Sequence, residues 1–201
     1  MQPVYGQGCA IATPNEDSDV SEFTIVLRPT AGDRRAAIDG IAARHAGVVT
    51  WRASERCGRE YGLVEGVGTQ AVAEIEAAAR ATVYPKPIIA VAIYPGASEA
   101  LPVLEDALGG TGRPAGVLAC ERVQAGLVVE WDPSVSQPAV ISALIDLELR
   151  RFGGARTIEL LSPLTADLAA RIAAKGLQTP EIGPDRVLET LVQRAGLTGD
   201  A

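Results

Sequence analysis

Aromatic side chains make up only 4% of this chain of 201 residues. Ala, Val, Leu and Ile must therefore supply most of the packing. At 47% hydrophobic and 21% charged, the composition is that of a globular chain and not a disordered one. Basic residues are also short, 18 against 25 acidic, for a net charge of -7 and a pI near 4.8. Phosphate binding needs a basic face, so this balance argues against a nucleic-acid partner. No apolar run approaches the roughly 18 residues of a membrane-spanning helix. The first ten residues lack the basic region and hydrophobic stretch of a secretory leader. Cys9, Cys57 and Cys120 are odd in number and far apart, which argues against a disulfide framework and fits a reducing cytoplasm. His45 is the one histidine, so a metal lacks ligands at useful spacing and a serine nucleophile lacks its usual base. The expectation is a cytoplasmic protein without metal, cofactor, membrane or nucleic-acid partner.

What the chain does have is internal repetition, which is sought before any other reading. Phe23-Thr-Ile-Val-Leu-Arg-Pro29 returns as Ile89-Ala-Val-Ala-Ile-Tyr-Pro95, and Ala53-Ser-Glu-Arg56 as Ala119-Cys-Glu-Arg122. Both offsets are about 66 residues. Gly62-Leu-Val returns as Gly126-Leu-Val, slightly short of that offset. Residues 1–21 are Gly-rich and then acidic, and read as an arm. In repeat one, 22–87, a strand at 23–28 leads through Thr30-Ala-Gly-Asp33 into a helix over 33–45. That helix carries Ala37, Ile38, Ile41 and Ala42 at helical spacing and is closed by Gly47. A hairpin over 48–67 follows, then a helix over 70–81 with Val72, Ile75, Ala78 and Ala79 on one side, and a strand at 82–84. Repeat two, 88–163, gives a strand at 88–94, a helix over 98–108 capped by Ser98, a hairpin over 117–131, a helix over 138–152 and a strand at 157–161.

Each unit is β-α-β-β-α-β, so the fold class is α+β with two tandem ferredoxin-like repeats. Such a unit has helices on one sheet face and leaves the other to be covered. The two copies can pair edges, pack face to face, or sit side by side in a ring. Residues 164–201 form a C-terminal helical extension. One helix is expected over 166–175, and Pro184-Asp185 opens another with Val187, Leu188, Leu191 and Val192 on one face, ending at Gly196. These helices either cover the chain's own core or contact a partner.

The glycine clusters have structural explanations. Gly66-Val-Gly68-Thr-Gln-Ala71 matches a loose dinucleotide pattern, but no carboxylate ends the next strand to hold a ribose. A tight strand-to-helix turn accounts for it. Gly109-Gly-Thr-Gly-Arg113 lacks the ending of a phosphate-binding loop and reads as a helix-to-strand turn. The helical carboxylates, among them Glu74, Glu105 and Asp146, read as solvated faces. The first hairpin loop, Glu55-Arg56-Cys-Gly-Arg59-Glu60-Tyr61-Gly62, is longer and more charged than its counterpart around Arg122 and Gln124. Loops on a rigid scaffold carry function, whereas an ordinary solvated hairpin tip holding a Glu-Arg pair needs none.

Leu118-Ala-Cys-Glu121-Arg122-Val-Gln-Ala-Gly126-Leu-Val128 resembles the second hairpin of bacterial microcompartment shell domains. Asp106-Ala-Leu108, Gly68-Thr-Gln-Ala-Val-Ala-Glu-Ile-Glu76 and Tyr84-Pro-Lys-Pro87 are similar to the first helix, second helix and final segment of that family. The resemblance implies a non-catalytic, self-assembling tile: a homo-oligomer, favoured as a trimer, forming a pseudohexamer with a pore for small metabolites. The pore would be lined by Arg56, Arg59, Glu60, Tyr61, Arg122 and Gln124.

Leu27-Arg-Pro-Thr-Ala-Gly32, Arg44-His-Ala-Gly-Val-Val49 and Gly154-Ala-Arg-Thr-Ile-Glu-Leu160 resemble instead a tandem ACT-type regulatory protein. That resemblance implies a small-molecule ligand such as an amino acid, bound where the domains meet, near Gly32 and Gly96. The third reading is a cofactor-independent enzyme on the duplicated scaffold. The shell tile is the leading expectation.

Overall fold

The computed structural model describes residues 21–28, 34–153, 155–163, 170, 174 and 181–182. The expected arm, the Thr30-to-Asp33 helix opening, Gly32 and the last expected helix lie outside the described residues, as does most of the 166–175 helix. The elements are β1 (Ser21–Leu27), α1 (Arg35–Arg44), β2 (Val48–Ala53), β3 (Glu60–Val67), α2 (Thr69–Ala79), β4 (Thr82–Tyr84), β5 (Ile89–Pro95), α3 (Ala100–Gly109), β6 (Val117–Val123), β7 (Gly126–Trp131), α4 (Pro138–Arg150), β8 (Ala155–Leu160) and the short β9 (Glu181–Ile182). The architecture is α+β. One antiparallel sheet has the order β2-β3-β1-β4, and the other β6-β7-β5-β8-β9.

Strand alternation builds three layers of core. Phe23, Ile25 and Leu27 of β1 point to the helices and pack with Ile38, Ile41, Val64, Ile75 and Ala79. Ile89, Val91 and Ile93 of β5 do the same with Leu104, Leu108, Leu127, Val129, Trp131, Ile141 and Ile145. The residues between them in sequence, Val26 on β1 and Ala90 and Ala92 on β5, face the other way. They meet Tyr61, Ile88, Val128 and Leu161 in a third cluster drawn from both halves. The two sheets therefore pack face to face. Each fully buried aliphatic contributes about 1.5–3 kcal/mol over leaving it in water. The sheet face that each unit leaves bare is covered within the chain.

The strand registers revise the sequence repeat. Ile25 stands opposite Gly62, whereas its counterpart Val91 stands opposite Val129. Gly62 thus corresponds in space to Val129 and not to Gly126. The faces differ too: Gly62 lies under the Trp51 ring, and Gly126 lies against Tyr94 on the inter-sheet side. The hairpin match is displaced in the same way. Trp51 stands opposite Gly62 and Cys120 opposite Val129, so Trp51 and Cys120 correspond although the sequence match pairs Ser54 with Cys120. Of the three sequence matches, only the first-strand match is in structural register.

Local details also differ from expectation. Ser98 does not cap α3; Glu99 is the N-cap residue, and the Ser98 hydroxyl donates to the Glu99 carboxylate. Ala37 and Ala78 are exposed, while Ile38, Ile41, Ala42, Ile75 and Ala79 carry the helix burial. At the end of α1 the left-handed residue is Ala46, with φ 59°, and not Gly47. Gly47 is needed for space: a Cβ there would lie 2.2 Å from Val67 Cγ1 and 2.9 Å from the Glu65 carbonyl. These two positions separate backbone freedom from crowding. Gly47→Ala is expected to cost about 1–3 kcal/mol, whereas Ala46→Gly should be neutral or stabilising by up to about 1 kcal/mol. Urea denaturation of both variants checks the contrast.

Candidate functional site

The space between the sheets holds two polar clusters, one sealed and one open. Glu130 sits in β7, in the run Leu127-Val-Val-Glu-Trp131, with Val128 and Glu130 pointing to the first sheet. It is fully buried, and an isolated carboxylate there would carry a large desolvation cost. Three donors offset that cost. Arg59 Nη1 donates to Oε1 at 3.0 Å, the Tyr61 hydroxyl to the same oxygen at 2.6 Å, and the Tyr84 hydroxyl to Oε2 at 2.9 Å. Arg59 is itself only 3% exposed and also bonds Glu121, which pairs with Arg28. All four donors come from the first half and both carboxylates from the second.

The ionisation behaviour follows from this packing. Burial, with the Glu130 charge beside them, pushes the Tyr61 and Tyr84 hydroxyls well above the ordinary phenol value, so both remain neutral donors. Burial works against the charge on Arg59, but Tyr61, Glu121 and Glu130 together raise its pKa. Glu121 resists burial in the same way: desolvation pushes it up, and Arg28 and Arg59 bring it below the ordinary carboxylate value of 4.5.

The open cluster surrounds Glu159 of β8, which is half-buried. The Ser54 hydroxyl donates to its Oε2 at 2.9 Å, and the Tyr94 hydroxyl lies 3.5 Å from the same oxygen. Ser54 also accepts from the Cys57 backbone N–H at 3.2 Å, which folds the 54–59 loop inward, and Gly58 turns with φ 66°. The exposed Arg56 lies over the Tyr94 ring, 5.5 Å from its centroid. Arg52 of β2 is half-buried; desolvation lowers its pKa, and the Glu159 charge only partly opposes this. The Tyr94 hydroxyl is raised chiefly by burial, with further contributions from Cys57 and Glu159.

The sequence-derived candidates separate into different environments. Arg59 and Tyr61, read as pore-lining, are buried against Glu130. Glu60 points to the helix face and pairs with Arg35 of α1 at 3.3 Å. Arg122 is exposed and pairs with Glu105 of α3 at 2.7 Å. Gln124 is an exposed hairpin-tip residue with φ 36°. Arg56 belongs to the open cluster, and Gly96, also exposed, follows Tyr94 by two residues. Strand alternation puts neighbouring loop-end residues on opposite sheet faces, which is why one charged loop does not make one site.

The glycine segments at 66–68 and 109–112 are strand-to-helix and helix-to-strand turns, as expected. His45 ends α1 and its Nε2 lies 3.2 Å from a Glu74 oxygen. Glu130, Glu159, Arg52, Tyr84 and Tyr94 were not singled out from sequence. The signal for Glu130 was a lone carboxylate in an otherwise apolar strand, which calls for buried partners.

No known protein family and no curated protein matches the chain. Its own geometry therefore carries the functional argument.

Removing Arg59 would leave Glu130 buried without its cation. Arg59→Met is expected to cost about 3–5 kcal/mol, and adding Glu130→Gln should recover part of that loss in chemical denaturation. The depressed Glu121 pKa implies an acid dependence with a definite sign. Its contribution is full above the unfolded value near 4.5 and is lost as pH falls through the lower folded value. Stability measured from pH 6 downward should therefore fall less steeply in Glu121→Gln than in the wild type.

Proposed function

We propose that the chain is a non-catalytic, ligand-binding regulatory protein. By this reading its two halves are ferredoxin-like units, as both strand orders suggest, closed face to face around a binding site. The ligand is a small carboxylate-bearing molecule, an amino acid by class, held at the open end of the inter-sheet layer. The observation that carries this reading is the half-buried Glu159 carboxylate, which accepts from the Ser54 hydroxyl at 2.9 Å and lies 3.5 Å from the Tyr94 hydroxyl. Arg56 lies over the Tyr94 ring, and half-buried Arg52 is near enough to feel the Glu159 charge. A ligand carboxylate would pair with the Arg52 guanidinium, and Glu159 with the Tyr94 hydroxyl would receive an ammonium group. Arg52, Ser54 and Arg56 come from the first half, and Tyr94 and Glu159 from the second, so a bound ligand would clamp the halves together. This is the domain-interface position near Gly96 that an ACT-type protein implies.

The shell-tile reading rests on the hairpin resemblance. Its pore function would need Arg59 and Tyr61 at a solvent-lined opening, whereas both are engaged with Glu130. The bare sheet face that argued for a homo-oligomer is occupied inside the chain.

Ligand binding to the native state raises thermal stability by mass action. A panel of amino acids and simple dicarboxylates should contain compounds that raise Tm in a concentration-dependent way, with the shift abolished in Arg52→Gln and Glu159→Gln. No shift from any member of the panel, together with trimers that tile in negative-stain images, would replace this reading with the shell tile.

A further inference from the structure

Residues 54–59 join the two polar clusters. Ser54, which opens the loop, donates its hydroxyl to Glu159 Oε2 at 2.9 Å. Arg59, which closes it, donates to Glu130 Oε1 at 3.0 Å and also pairs with Glu121. Both are buried, Ser54 at 5% exposure and Arg59 at 3%. Glu159 stands on β8 and Glu130 on β7, with β5 between them. Two strand spacings separate their backbones by about 10 Å or more. Carboxylates that far apart, with different partners, act independently unless something rigid connects them.

The loop is made rigid by its own hydrogen bonds. The Ser54 N–H donates to the Arg59 carbonyl at 2.9 Å, and the Gly58 N–H to the Ser54 carbonyl at 2.9 Å. The Cys57 N–H donates to the Ser54 hydroxyl at 3.2 Å. Gly58 supplies the left-handed turn, with φ 66°, that lets the chain close on itself. Ser54 thus ties the loop together through its backbone and reaches the second half through its side chain. The Cys57 side chain is buried in the inter-sheet cluster with Tyr61, which anchors the middle of the loop as well. A loop closed in this way moves as a unit. It is docked with both ends bonded to the second half, or released with both bonds lost.

We propose that the 54–59 loop couples the two clusters, so that the Ser54–Glu159 hydrogen bond at the open end holds Arg59 on Glu130 at the sealed end. Ser54 is a positioning residue for the buried guanidinium and acts on it through the loop backbone. If the open cluster binds an amino acid, a ligand that engages Glu159 stabilises the docked loop, and the sealed network gains from occupancy of a separate site. Coupling of this kind is reciprocal, so loss of the Glu130 charge weakens ligand binding in turn. That consequence rests on the amino-acid reading, whereas the coupling of the two clusters does not.

A double-mutant cycle between Ser54→Ala and Glu130→Gln, on the full chain without ligand, tests the coupling. Each should lower the urea midpoint, and the double variant should lose less than the sum, by about fivefold or more in the unfolding equilibrium constant. If Ser54→Ala does not fold, Glu159→Gln, which weakens the same bond, takes its place in the cycle. The Nε–H signal of Arg59 in an NMR spectrum of the 15N-labelled protein separates positioning from general destabilisation. It should shift or broaden in Ser54→Ala, return in Ser54→Thr, and keep its position in Gly47→Ala, which destabilises the helix side of the first sheet. Additive losses, or an Arg59 signal unmoved by Ser54→Ala, would overturn the inference. Any panel amino acid that raises Tm should bind more weakly to Glu130→Gln. A panel without a binder would remove the amino-acid reading and leave the cycle to decide the coupling.

Discussion

A single carboxylate between two sheets sets the conditions for much of this molecule. Glu130 occupies the middle of an apolar strand, and its buried charge demands a cation and further donors. Arg59 reaches it only because the 54–59 loop folds back, with Gly58 donating its N–H to the Ser54 carbonyl and Arg59's carbonyl accepting from Ser54. Tyr61 of β3 and Tyr84 of β4 approach from either side of β1 in the first sheet. The apolar contacts around Val26, Ala90, Ala92 and Val128 attract the sheets without direction, whereas the Glu130 network admits one relative placement. Buried polar networks have this character: costly when incomplete, and specifying when every member is satisfied.

The same inter-sheet layer explains why its two ends differ. Around Glu130 the donors and acceptors are matched and water is excluded. Around Glu159 a carboxylate, a phenol, a serine hydroxyl and two guanidinium groups share a partly wet edge. One end joins the halves through a buried carboxylate, and the other through a half-buried one.

Much of the architecture was legible in the chain. The alternation of Phe23, Ile25 and Leu27 against Val26, and the helical spacing of Ile38, Ile41 and Ala42, gave strands and helices within a few residues of their observed bounds. The hairpin expected over 117–131 is formed by β6 and β7, with the same outer bounds. What failed was register. Gly62-Leu-Val and Gly126-Leu-Val are identical three-residue stretches, yet one glycine faces helices and the other faces the opposite sheet, because a shift of an odd number of residues turns a strand over. The charged loop stands out in the chain, but its direction was not legible. Whether Arg59 points to water or inward depends on where the second sheet lies, and that placement is fixed by contacts between residues about 70 positions apart.

The division of donors and acceptors across the interface makes it self-selective. Arg28, Arg59, Tyr61 and Tyr84 belong to the first half, and Glu121 and Glu130 to the second. Two first halves brought face to face would oppose cation to cation, and two second halves would oppose carboxylate to carboxylate. Each half is therefore a poor partner for its own copy and a good one for the other. The two halves act as a lock and a key made in one chain, and neither can stand in for the other at this interface.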